Sequence, residues 1–126
     1  MIHLDTTYLI RALLRGSVED RRLREWLRGG TPVAASAIVW AEFLCGPVEA
    51  QDVELAAVIV NERVPFTAED AVLAAALFNG GGRRRGSLVD CMIAATAIRC
   101  SAALATTNVA DFDRFQRAGL TLLGGA

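Results

Sequence analysis

Four of the 14 acidic residues in this 126-residue chain stand where the ordinary reasons for an acid are missing. Glu42 follows Ile38 and Val39 by one helical turn and precedes Phe43 and Leu44, in a stretch from Ala34 to Val48 that holds no other charge. Asp90 has Gly86 and Ser87 a turn before it, Ile93 and Ala94 a turn after it, and no further charge until Arg99. Asp5 closes the apolar start Met1-Ile2-His3-Leu4, and Asp111 lies shortly after a second apolar stretch, Ala102 to Ala105. An isolated carboxylate is costly to bury, so each needs a partner or a task. Local partners exist: Asp5 can cap a helix, Asp111 can answer a helix dipole, and an arginine from elsewhere can pair with Glu42 or Asp90. The other acids have simpler settings. Asp20 precedes Arg24 by four residues, Glu25 lies near Arg21 and Arg28, and Glu69 and Asp70 open a helix, which predicts solvated or dipole-matched charges.

Gathered in one cleft, four carboxylates repel by roughly 4 kcal/mol per pair at 4 Å and an effective dielectric of 20. A divalent cation removes that repulsion. Oxygen donors without His or Cys suit a hard ion, so Mg²⁺, with Mn²⁺ as the other option, is expected rather than zinc. All 13 basic residues are arginine, which excludes Schiff-base chemistry and Walker-type phosphate loops and disfavours receiver-type and dehalogenase-like phosphoacceptors, all of which use a lysine. The single histidine, His3, falls inside an apolar strand-like start and is expected to be structural. Cys45, Cys91 and Cys100 are odd in number, lack metal-ligand spacing and read as reduced core thiols. With 53% hydrophobic and 21% charged residues, the chain is not a disordered one. A net charge of −1 means that any nucleic acid must be met by a local patch. No basic leader precedes an apolar stretch, and the apolar runs fall short of the ~20 residues of a membrane span, so a soluble, cytoplasmic protein without a membrane partner is expected.

The elements that must position these acids alternate. Strand-like segments at Met1–Leu4, Pro32–Ala35, Arg63–Phe66, Ala102–Ala105 and Leu120–Leu123 are separated by helical patterns from Thr6 to Leu14, Ser17 to Arg28, Ala37 to Leu44 behind a Ser36 cap, Glu49 to Asn61, and Thr67 to the glycines Gly80-Gly81-Gly82. Ser87 is expected to cap an apolar helix reaching Cys100, and Ala110 to Arg117 reads as a last short helix. Short apolar strands between helices predict an α/β fold of three layers, α/β/α, around a central, mainly parallel sheet, in one domain spanning 1–126. In such folds ligands bind beyond the carboxyl ends of the strands, which points to Asp5, Ser36 and Thr106 to Asn108.

Four segments in this order carry a resemblance: Leu4-Asp5-Thr6, Ser36-Ala37-Ile38-Val39-Trp40-Ala41-Glu42, Asp90-Cys91-Met92-Ile93-Ala94-Ala95-Thr96-Ala97, and Thr106-Thr107-Asn108-Val109-Ala110-Asp111-Phe112. Across essentially its whole length the chain resembles the PIN-domain ribonucleases, and among them the VapC-type toxins of VapBC toxin–antitoxin pairs. The resemblance implies a metal site of Asp5, Glu42, Asp90 and Asp111, supported by Thr6, Ser36, Thr106 and Asn108. It implies metal-assisted hydrolysis of structured or single-stranded RNA, a homodimer, and a cognate VapB-like antitoxin lying across the cleft. Leu55, Val58 and Ile59 are candidates for part of an interface, and Arg83-Arg84-Arg85 and the Arg21, Arg24 and Arg28 face for RNA contacts. Asp113 is an alternative acid whose register suits the exposed side of its helix. The reading of a different class is a catalytically silent module that keeps the fold to bind protein or RNA, against which the intact set of acids argues.

Overall fold

The computed structural model describes residues 1–124. Five strands, β1 (Ile2–Leu4), β2 (Val33–Ser36), β3 (Arg63–Val64), β4 (Ala103–Thr106) and β5 (Thr121–Gly124), form one sheet in the order β3-β2-β1-β4-β5. Every pairing is parallel. The helices are α1 (Thr6–Ala12), α2 (Val18–Arg28), α3 (Ala37–Cys45), α4 (Ala50–Ile59), α5 (Ala68–Gly80), α6 (Leu88–Arg99) and α7 (Val109–Phe112). A 3-10 helix, Asp113–Ala118, continues α7. Strand order runs outward from β1 on one side through β2 and β3, then resumes on the other side with β4 and β5. Right-handed crossovers in opposite directions put helices on both faces of the sheet, which gives the expected three layers.

This topology decides where a site can form. The order reverses between β1 and β4, and the crevice beyond their carboxyl ends is the switch point. The β1–β4 register pairs Leu4 with Ala105, so the residues that follow, Asp5 and Thr106, emerge side by side. Gly124 closes the far side: a Cβ there would overlap the Thr106 carbonyl, so only glycine lets β5 end this close. Beneath the crevice, Leu4, Leu9, Val39, Phe43 and Leu104 are fully buried. Helix α6 is apolar on nearly every side because Cys91 and Ile93 to Ala97 are all enclosed. Helix α2 shows the opposite pattern, burying Leu23 and setting Trp26 against Tyr8 with ring centroids 5.8 Å apart.

Several local expectations are corrected. The helix expected from Ala110 to Arg117 divides after Phe112 into α7 and the 3-10 turn, which ends at Gly119 with φ of 105°. Ser87 does not cap α6; its hydroxyl donates to the Arg84 carbonyl at 2.7 Å and braces the preceding turn. Cys91 is buried and Cys100 half-buried, but Cys45, on the outward side of the last turn of α3, is exposed. The largest correction concerns Asp70. It is fully buried rather than solvated, because α5 and α6 pack together and Arg99 reaches across to it, with Nε 2.6 Å and Nη2 3.1 Å from its two oxygens. The capping box with Thr67 and a hydrogen bond from the Thr96 hydroxyl complete its shell. His3 is buried in β1, its Nε2 without a hydrogen-bond partner, and burial followed by the charges of the N-terminus and Arg99 pushes its pKa down to about 4. Among the described residues, no helix is long and apolar enough to cross a membrane.

Candidate active site

Asp5 has two structural duties and stands at the crevice. As the N-cap of α1 it accepts the Tyr8 backbone N–H on Oδ1 at 2.8 Å, and the Thr7 hydroxyl donates to the same oxygen at 3.2 Å. Its other oxygen accepts the Thr106 hydroxyl at 2.5 Å, the contact that the β1–β4 register prepares. Thr106 in turn accepts the Asn108 backbone N–H at 2.9 Å, which folds the chain beyond β4 back over the strand end. Asp5 is only 3% exposed. Burial raises its pKa, the hydrogen bonds from Thr106, Tyr8 and Thr7 act against that, and the Glu42 charge adds to the rise.

Glu42 comes from α3, whose N-terminus is fixed by Ser36 capping the Val39 N–H at 3.1 Å. The Glu42 side chain is exposed and accepts the Thr6 hydroxyl at 2.5 Å on Oε1. Asp90, in the first turn of α6, is half-buried. Burial first, then the charges of Asp111 and Glu42, push it up to about 6; Arg114 opposes the rise and Asp5 adds to it. A carboxyl displaced this far by burial and by neighbouring acids marks an electrostatically frustrated place, the kind that functional sites concentrate.

Asp5, Glu42 and Asp90 line one cavity of about 210 Å³ together with Thr6, Thr7, Ile93, Asn108 and Phe112. No arginine lines it. Asp111 is exposed in the first turn of α7, outside this lining, and acts on Asp90 through its field. Among the described residues, no three of these acids are drawn into a closed cage, so the cavity is open and its carboxylates are spread. Its donor set is entirely oxygen, it is anionic, and it has one fixed carboxylate in Asp5. Such a set fits a hard divalent cation, which would take the place of the countercharge the chain does not supply.

Of the expected supporting groups, Thr6 and Thr106 each hold an acid, and Asn108 reaches the site by donating from Nδ2 to the Thr7 hydroxyl at 3.4 Å. Ser36 is buried and caps α3, acting on Glu42 only by fixing the helix. The arginine run disperses: Arg83 bonds Asn79 Oδ1 at 3.3 Å, Arg84 lines a separate cavity, and Arg85 is exposed. Asp113 is exposed and accepts from Gln116, away from the carboxylate cavity. Two participants escaped the sequence reading. Thr7 is a hub, donating to Asp5 and accepting from Thr107 at 2.9 Å and from Asn108. Its position two residues after a capping aspartate, where a hydroxyl can turn back, was the available signal. Arg114, the cation whose field reaches Asp90, carried no signal beyond its charge.

The family model described as PIN domain matches residues 2–118. The fold is also similar to solved structures: VapBC2 from Rickettsia felis bound to a DNA fragment from their promoter, at 24% identity over 100% of both chains and a TM-score of 0.78. VapBC-1 from nontypeable Haemophilus influenzae is similar at 24% identity over 98% of each chain, with a TM-score of 0.70. DNA-bound VapBC from Salmonella typhimurium is similar at 20% identity, 98% of this chain, 96% of that one and a TM-score of 0.72. No curated protein sequence matches the chain.

Proposed function

The chain belongs to the PIN-domain family, and from that premise we propose that it is a metal-dependent endoribonuclease, the toxin of a type II toxin–antitoxin pair, acting on structured or single-stranded RNA in the cytoplasm. The observation that carries the reading is the carboxylate cavity, lined by three acids and no arginine, in which burial first and then the charges of Asp111 and Glu42 push Asp90 up to about 6. Bound there, Mg²⁺ or Mn²⁺ would supply Lewis acidity to a phosphate oxygen and lower the pKa of a water molecule.

The side chains divide the work. Asp5 and Asp90 are the proposed direct ligands, Asp5 because three hydrogen bonds hold its oxygens in place. Glu42 is anchored through Oε1 by Thr6, which leaves Oε2 to serve as a ligand or to orient the attacking water and accept its proton. Asp111, at the edge, acts through water. Thr6 and Thr106 hold carboxylates, Asn108 orients the loop or a substrate phosphate, and Ser36 fixes the helix carrying Glu42. Arg83, Arg84 and Arg85 are the proposed source of RNA contacts. A VapB-like antitoxin is the proposed partner, in keeping with the VapBC complexes to which the fold is similar. A homodimer is proposed as well, with the exposed Leu55 and Val58 of α4 as candidates for contact; Ile59 packs against the core.

The test is cleavage of total bacterial RNA by purified protein with Mg²⁺ or Mn²⁺, with and without EDTA, beside Asp90→Asn. Discrete cuts that need the metal and vanish in the variant are expected. Equal cutting by both proteins removes Asp90 from the mechanism, and no cutting by metal-loaded protein moves the reading to a silent binding module.

A further inference from the structure

We infer that a second cavity, beside the carboxylate one, is a subsite for backbone phosphates of RNA flanking the scissile phosphate; this rests on the nuclease reading above. The cavity measures about 620 Å³ and lies between the end of α5, the loop that follows it and the 3-10 helix. Three arginines line it, Arg84 from the loop and Arg114 and Arg117 from the 3-10 helix, against one acid, Asp113. The acid is already engaged, accepting from the Gln116 amide at 2.6 Å.

Among the described residues, none of the three arginines forms an ion pair. The ion pairs among the described residues are Arg11–Glu19, Arg24–Asp20 and Arg99–Asp70. Arg114 sits over the Phe115 ring, its Cζ 4.4 Å from the centroid, and its Nη2 is buried without a hydrogen-bond partner. The three guanidinium groups line the cavity without a carboxylate partner of their own, and a phosphate oxygen can accept charge-assisted bonds from such groups. In a chain of net charge −1 this concentration of free positive charge is local, as a nucleic-acid footprint must be here.

Position decides what kind of anion belongs there. Helix α7 is the wall between the two cavities: Ala110 lines the arginine cavity, while Asn108 and Phe112 line the carboxylate one. A polyanion with regularly spaced charges can lay one phosphate at the carboxylates and their cation and pass its neighbours over the arginines. The α2 arginines are less suited, since Arg24 is paired with Asp20 and Arg21 donates to the Gly16 carbonyl at 3.1 Å.

The test measures binding rather than cutting. In an Asp90→Asn background, the affinity for a short fluorescein-labelled single-stranded oligoribonucleotide of mixed sequence is followed by anisotropy over a range of salt. The parent is compared with Arg84→Ala/Arg117→Ala and with Arg21→Ala/Arg28→Ala, a control of equal charge change on α2. Arg114 is left intact because it packs on Phe115, and thermal melting verifies that each variant is folded. The Arg84/Arg117 pair is expected to weaken binding about tenfold and to flatten the salt slope by about 1.4, since each phosphate contact on a single strand contributes about 0.7. Parent-like affinity and slope in that variant, an equal loss in the α2 control, or no RNA binding by the parent would each overturn the subsite. Absence of cleavage in the earlier assay together with the expected binding loss would overturn the catalytic reading and leave the arginine cavity as an RNA-binding site of a silent module.

Discussion

Asp70 and Asp90 stand in first turns of neighbouring helices, and the chain treats them in opposite ways. Asp70 is fully enclosed, with Arg99 forked onto both oxygens and Thr67 and Thr96 filling the rest of its shell. Burial pushes its pKa up, but the Arg99 hydrogen bonds and charge and the bonds from Thr67 and Thr96 outweigh that and hold it below its ordinary value. Asp90 is displaced upward, to about 6, by burial first and then by the charges of Asp111 and Glu42, which Arg114 only partly opposes. A buried carboxylate therefore says little about function until its partners are counted. The one with its own cation joins α5 to α6, and those without one surround an opening.

The largest effect that should separate the two regions is on stability. Replacing Asp70 with alanine removes the buried acceptor shared by Arg99, the Thr67 N–H and the Thr96 hydroxyl, and is expected to lower stability in urea unfolding by more than either variant below. A loss near 1 kcal/mol would mean that the ion pair is peripheral and that the contrast is overdrawn. Thr106→Val comes next. It removes the hydroxyl that fixes Asp5 while keeping the shape of the strand end, and loss of one hydrogen bond to a charged group is worth about 1.5–3 kcal/mol.

Asp90→Asn should change stability in the other direction. Removing one of the repelling charges is expected to stabilise the metal-free protein by about 1–2 kcal/mol at pH 7.5, solvent screening reducing what the shift alone implies. The pH profile sharpens this. A carboxyl raised to about 6 takes up its proton in the fold before it does in the unfolded chain, so the Asp90 term adds stability as pH falls from about 6 to 3.8. His3, lowered from 6.5 to about 4, does the reverse: its contribution is complete above 6.5 and is lost as pH falls toward 4. Between pH 6 and 4 the two oppose each other in the parent, and Asp90→Asn should therefore lose stability more steeply over that range. Parallel profiles would show that Asp90 carries no such strain.

Much of this contrast could be read from residue types and spacing, and the part that could not has a physical cause. Glu42 and Asp90 stood out because each is the lone charge in an apolar helical stretch, and Asp5 because it closes an apolar strand at the end where ligands bind, with Thr106 at another strand end. Asp70 looked like a solvated helix opener because its partner, Arg99, lies 29 residues on and meets it only when α5 packs on α6. Arg114 and the arginine cavity were hidden for the same reason, since Arg84 and Arg114 are brought together by the fold. Periodicity marks a face as buried or exposed; it does not report which charges from distant segments share that face. The division of the last helix after Phe112 was missed because its apolar residues suit an α-helix and a 3-10 turn alike.

The central claim is that the unpaired carboxylates lack a cation and the paired one does not. Titration of Mn²⁺ into the metal-free protein at pH 7.5, with free Mn²⁺ followed by electron paramagnetic resonance, tests it on the parent, Asp90→Asn and Asp70→Asn. Saturable binding by the parent and by folded Asp70→Asn, weakened at least about tenfold in Asp90→Asn, is the result expected. Equal Mn²⁺ affinity in the parent and Asp90→Asn, or no saturable binding by the parent, would contradict it.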